Sequence, residues 1–250
     1  MKAIPVIERA GSYLNLHASH AGPTPDQPPP RLFLTISREA GAGATTLANL
    51  LAKSLNSGQP AETRPWRIFD GNLVEAMLRD RRYQDGLARY LPEDSVSEID
   101  ATVGELLGLH PNLWEMIQDT GQLIRRLATE GHCILIGRGA NFLTRDIAGG
   151  LHLRLIGDEE ERAAHMARKL DISVRQARMR NESADRARNR YTLEHFNHSV
   201  ADASGYDAIF STSQISPLEI CNWLTELIRS RQGRRAAGPS AVAPSQPAAW

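Results

Sequence analysis

Five short apolar runs recur along the chain, with longer helical patterns between and after them. The runs are Leu32–Ile36, Arg67–Phe69, Cys133–Ile136, Leu151–Ile156 and Ala208–Phe210. Each is bounded by turn or polar residues, as strands buried on both faces are. Leu47–Leu55 carries apolar residues at 47, 50, 51 and 55. Leu113–Ala128 carries them at 113, 116, 117, 123, 124 and 127 and stops before Gly131. This spacing predicts helices with one apolar face. Asp158 predicts the N-cap of a helix over Glu159–Lys169, acidic in its first turn and basic in its last. Ser173 followed by Gln176 fits a capping box before a long helix to about Phe196, and Pro217–Arg229 closes the series. Strand–helix alternation of this kind predicts an α/β fold with a parallel sheet.

The ends of the chain follow different rules. Residues 22–30 hold five prolines in nine positions, which neither a helix nor a central strand accepts. They read as an extended linker behind a short amphipathic segment. Residues 232–250 are rich in Ala, Pro, Ser and Gly without apolar period and read as a disordered tail. The expected organisation is therefore a segment and linker over 1–30, one domain over 31–231 and a tail over 232–250. Cys133 and Cys221 are too few for a disulfide framework. No run approaches a membrane span or the apolar core of a signal peptide. A cytoplasmic protein is the expectation, with no membrane partner. His17 and His20 have no acidic or Cys partners nearby, so no protein-held transition metal is assigned.

Between the first strand and the first helix stands Ser37-Arg38-Glu39-Ala40-Gly41-Ala42-Gly43-Ala44-Thr45-Thr46. Glycines at 41 and 43 let successive N–H groups converge on an anion, and the helix behind adds its positive end. Thr45 and Thr46 put hydroxyls where a P-loop places its magnesium ligand. The loop is not a full Walker A motif, because Ala44 occupies the lysine position and Arg38 that of the first glycine. Arg38 and other arginines are the natural replacements for the absent charge. A glycine-rich turn that binds nothing is the alternative reading.

Charge is balanced overall, with 29 basic and 29 acidic residues. That argues against long nucleic acid as a partner. The balance hides a segregation. Residues 162–190 hold nine Arg or Lys against three acids, and residues 91–124 hold seven acids and no base. Arginines along a helical flap suit phosphoryl transfer, which needs cations around the migrating group. A solvated helix face held by pairs such as Glu182–Arg186 is the competing explanation.

Two further strand ends carry candidates. Asp70 follows the second strand, where ligands of open α/β sheets bind. It can meet an acceptor or a magnesium-bound water, and it can equally cap the next helix. Arg138 follows the third strand between Gly137 and Gly139, on the same rim as the glycine loop.

These segments, taken in order, resemble the cytidylate kinase-like family of P-loop nucleoside monophosphate kinases. They are Ile36-Ser37-Arg38-Glu39 with the lysine-less loop, Phe69-Asp70, Ile136-Gly137-Arg138-Gly139-Ala140, Glu161-Arg162, Asp185 to Tyr191, and Tyr206 to Thr212. The likeness covers about residues 31–230. It implies a three-layer α/β sandwich with a five-stranded parallel sheet, a helical acceptor insertion and a LID. It implies transfer of the ATP γ-phosphoryl to a nucleoside monophosphate, nominally CMP or dCMP, with Mg²⁺. On this resemblance Gly41, Ala42, Gly43, Ala44, Thr45 and Thr46 hold ATP, with Thr45 and Thr46 toward the metal. Asp70 and Arg138 serve the acceptor, and Arg186 and Arg188 are LID arginines that neutralise the phosphates; Arg38 is expected beside them as a catalytic cation in place of the missing lysine. Departures from true cytidylate kinases are Ala44 and the lack of an acid directly after the third strand, where Gly137-Arg138 stands. Two other readings stay open: a nucleotide-binding regulatory protein without turnover, and an interaction module using the acidic 91–124 stretch. No feature of the sequence sets an oligomeric state.

Overall fold

In the computed structural model the apolar runs form five strands: β1 (Phe33–Arg38), β2 (Arg67–Phe69), β3 (Cys133–Ile136), β4 (Gly150–Ile156) and β5 (Ala208–Ser211). All neighbours pair in parallel, in the order β2-β3-β1-β4-β5. The helices are α1 (Ala44–Asn56), α2 (Pro111–Glu130), α3 (Ala140–Leu143), α4 (Glu159–Leu170), α5 (Val174–Phe196) and α6 (Pro217–Ala236). The structure describes residues 31–58, 64–70 and 111–236. The expected N-terminal segment and linker, the acidic stretch up to residue 110, the acceptor insertion and the tail beyond Ala236 lie outside these residues.

Period-two alternation divides the sheet between two cores. Leu34, Ile36, Ile134, Ile136, Leu151, Leu153 and Leu155 turn to one face, against Leu47, Leu51 and Leu55 of α1 and Ile220, Leu224 and Ile228 of α6. Phe33, Phe69, Cys133 and Leu135 turn to the other, against Ile124, Leu127 and Ala128 of α2 and Ala140 of α3. This is the expected three-layer α/β sandwich. Register is fixed by burial: a one-residue slip of β1 would exchange the two sets. Each fully buried Leu or Phe is worth about 1.5–3 kcal/mol.

β4 departs from this pattern in a way that matters for the site. Its second face carries His152 and Arg154 instead of apolar residues. They stand in register with Thr35 and Ser37 of β1, and both bond to that strand: His152 Nδ1 to Thr35 Oγ1 at 2.8 Å, Arg154 to Ser37 at 3.1 Å.

Helix ends follow their local signals. Asp158 accepts from the N–H groups of Glu160 and Glu161, and Ser173 with Gln176 forms a complete capping box. The closing helix runs to Ala236, beyond the boundary placed after residue 231. The added residues are mostly Arg, Gln and Ala, which favour helix. Among the described residues no helix is long and apolar enough to cross a membrane.

Candidate functional site

The glycine loop leaves β1 at Arg38 and enters α1 with Gly43 as N-cap at φ +77°. No side chain caps this helix. Its first-turn N–H groups are therefore uncapped, at the edge of a cavity of about 500 Å³ lined by all residues from Arg38 to Thr46. Gly41, at φ +82°, is crowded by α4: a Cβ there would lie 2.6 Å from the Arg162 carbonyl oxygen. Only glycine satisfies both conditions.

The loop is held from behind by α4 and α5. The Arg162 guanidinium donates to the carbonyls of Ala40 at 2.8 Å and Gly157 at 3.0 Å, and to Asp185 at 2.9 Å. Asp185 also accepts from the Ala40 N–H at 2.7 Å and from Arg188 at 3.0 Å. Glu39 accepts from the Gly157 N–H at 3.0 Å and lies 3.3 Å from Arg162. His165 donates its Nδ1 proton to the Gly41 carbonyl at 2.8 Å. A carbonyl oxygen only accepts, so this contact places a proton on Nδ1.

A second cavity, of about 350 Å³, adjoins the first. Arg38, Glu39, Ala184 and Arg188 line both. The second is bounded by Arg138, Arg154, Tyr191 and Tyr206 among others. Arg138 sits at φ +56° between two glycines that are also left-handed. Holding a non-glycine there costs about 1–3 kcal/mol, a strain that sites tend to keep. Phe196, near the end of α5, packs onto Gly139 where a Cβ would stand, and stacks on Phe142 with ring centres 5.6 Å apart. Burial raises the Tyr191 hydroxyl above its ordinary pKa, partly offset by Arg138.

The expected residues are brought together unevenly. Gly41, Ala42, Gly43, Ala44, Thr45 and Thr46 all line the larger cavity, and Thr45 and Thr46 are exposed at its mouth. Ala44 is buried in the core at the start of α1. Arg38 and Arg188 stand on the seam between the cavities. Arg138 lines the smaller one. Asp70 lines neither, and lies 3.7 Å from Arg38. Arg186 also lines neither: it is 69% exposed and pairs with Glu182 at 3.3 Å. Side chains two residues apart on a helix diverge by about 200°, and Arg186 and Arg188 leave α5 on different sides. The basic helix thus has two faces of different character. Arg178 with Glu159 and Glu160, and Arg186 with Glu182, form the solvated face. Asp185, Arg188 and Thr192 form the inward one.

Several lining residues went unrecognised in the sequence. Lys169 on α4 and Arg180 and Asn181 on α5 line the larger cavity. The Asn181 side-chain amide is buried and has no hydrogen-bond partner among the described residues. Arg154 and Tyr206 line the smaller one. For Arg154 a signal existed, since positions 152 and 154 interrupt an apolar strand at the spacing of one face. Among the described residues no cluster of three His, Cys, Asp or Glu could hold a metal ion.

The fold matches the crystal structure of an uncharacterized protein from Eubacterium ventriosum, with a TM-score of 0.57 at 17% identity over 80% of this chain and 99% of that one. A shikimate kinase from Acinetobacter baumannii gives 0.43 at 14% identity over 81% and 95% of the chains. A gluconokinase from Sinorhizobium meliloti gives 0.40 at 12% over 86% and 100%. No curated protein matches the sequence. The family model that matches residues 33–214 spans β1 through β5, including the glycine loop and both cavities, and the chain belongs to the cytidylate kinase-like family.

Proposed function

We propose that the protein transfers the γ-phosphoryl group of ATP to a nucleoside monophosphate, with CMP or dCMP as the nominal acceptor. Family and fold support the coarser statement, a nucleotide or small-molecule kinase-like role. The observation that supports transfer between two bound ligands is the seam. Two cavities of ligand size meet at Arg38 and Arg188, one of them wrapped by the glycine loop.

In this reading the uncapped N–H groups at the start of α1 take the ATP phosphates. Lys169 and Arg180 line the same cavity and supply the cationic charge that Ala44 lacks. Arg38 and Arg188 flank the path of the migrating group and neutralise its charge, and Arg138 orients the acceptor phosphate. Such transfer relies on positioning and charge neutralisation more than on covalent catalysis. Thr45 and Thr46 present hydroxyl oxygens at the cavity mouth, a donor type that Mg²⁺ accepts alongside phosphate oxygens and water. When bound at Thr45 and Thr46, the ion would offset the charge of the phosphates.

The test is purified protein with Mg-ATP and a panel of nucleoside monophosphates, with ADP measured. Turnover on CMP or dCMP supports the proposal. Nucleotide binding without ADP formation supports the regulatory reading, which the buried Ala44 in place of lysine favours. A chain that binds no nucleotide refutes both.

A further inference from the structure

Among the described residues Arg154 is the only charged one that is buried, with 7% of its surface exposed. It stands on β4 in register with Ser37 and lines the smaller cavity. Its Nη1 donates to Ser37 Oγ at 3.1 Å, and its guanidinium lies 5.8 Å from the centre of the Tyr206 ring. The Tyr206 hydroxyl donates toward the Val200 carbonyl at 3.1 Å and Ser37 Oγ at 3.3 Å. All of these neighbours are neutral.

No ion pair among the described residues includes Arg154. The carboxylates lining the same cavity are engaged elsewhere: Glu39 with Arg162 and the Gly157 N–H, Asp185 with Arg162 and Arg188. A guanidinium has five N–H donors and keeps its charge at any physiological pH. A buried charge is strongly disfavoured unless something of opposite sign meets it. With Arg38, Arg138 and Arg188 also on its wall, this cavity is built for a ligand that brings negative charge.

We infer that Arg154, backed by Ser37 and Tyr206, seats an anionic oxygen group of the acceptor, a phosphate or a carboxylate, and thereby excludes neutral acceptors. The word acceptor rests on the phosphotransfer reading. The anion seat does not, because Arg154 lies outside the glycine-loop cavity.

Thermal unfolding of the full chain tests this in wild type and Arg154→Met, alone, with saturating Mg-ADP, and with inorganic phosphate or succinate added to Mg-ADP at constant ionic strength. In wild type one or both anions raise Tm beyond the Mg-ADP value, and which one does so distinguishes a phosphate-bearing from a carboxylate-bearing acceptor. The variant keeps the Mg-ADP shift, loses the anion shift and unfolds alone no lower than wild type, since it sheds an uncompensated charge. Equal anion shifts in the two proteins, or none in wild type, overturn the inference. So does a variant that unfolds earlier yet keeps its anion response, the behaviour of a purely structural arginine. Should Arg154→Met fail to fold, Arg154→Lys keeps the charge and loses the planar fork. Anion affinity then falls about tenfold, and an unchanged affinity overturns the inference. Absence of any Mg-ADP shift counts against the phosphotransfer reading instead, and the anion additions are then read without it.

Discussion

Arg162 on α4 and Asp185 on α5 meet at 2.9 Å directly behind the glycine loop, and both also bond to the backbone of Ala40. One ion pair therefore sets the position of two helices and of the loop between them. Arg162 is only 12% exposed in its side chain and Asp185 27%, so the pair is partly shielded from water.

Removing the carboxylate should show how much the clamp holds. Asp185→Ala strips Arg162, Arg188 and the Ala40 N–H of one acceptor each. The expected loss is about 2 kcal/mol, discounted from a fully buried pair because Glu39 still lies near Arg162. Urea unfolding should show a lower midpoint with unchanged slope. A midpoint equal to wild type would mean that the loop is held by its own turns.

Gly41→Ala tests the loop itself. The new Cβ is strained at φ +82° and meets the Arg162 carbonyl oxygen. The expected cost is about 1–3 kcal/mol, together with weaker ATP binding by calorimetry. Gly58→Ala is the control: φ is +73° there, but no atom lies within 4 Å. It should lose some stability and leave ATP affinity alone. If both variants bind ATP like wild type, the loop does not hold the nucleotide.

The contrast between these glycines also shows what the sequence can and cannot say. Strands, capped helices and the loop were legible because their signals are local. Alternation buries β1 on both faces, Asp158 caps its own helix, and Ser173 and Gln176 sit three residues apart. The crowding at Gly41 was not legible, because Arg162 reaches it from a helix far along the chain. Nor was the division of labour between Arg186 and Arg188, since the direction of the inward face depends on how α5 crosses the loop. In the sequence Arg154 reads as part of an apolar strand. Its meaning appears only once β1 and Tyr206 are beside it. The four-residue α3 has too little sequence to carry a period.

A surface pair gives a prediction about pH. Arg125 grips both carboxylate oxygens of Asp146 at 2.7 Å. The hydrogen bonds from Arg125 hold the Asp146 carboxyl down to about 2, from an ordinary 3.8. With the folded value depressed, the contribution of this pair is complete above the ordinary value and fades as pH falls toward about 2. A carboxyl carbon titration by NMR should find the Asp146 midpoint near 2. Arg125→Ala should return it toward 3.8. A wild-type midpoint already at the ordinary value would show that the grip does not persist in solution.

Turnover should separate Arg186 and Arg188, both expected from the sequence to be catalytic cations. Arg188 lines both cavities and donates to Asp185. Arg186 lines neither and is spent on Glu182 in solvent. An arginine that neutralises the transferring phosphoryl group is worth about 10³–10⁵ in rate in related chemistry, and an exposed helix pair about 0.5 kcal/mol of stability. Arg188→Ala should therefore lower kcat by orders of magnitude with the fold retained, because Arg162 still anchors Asp185. Arg186→Ala should cost far less. Single-turnover ADP formation with both variants decides it, with circular dichroism as the check on folding. Equal losses in the two variants would mean that α5 rotates when the nucleotide binds, and would move the catalytic charge off the seam.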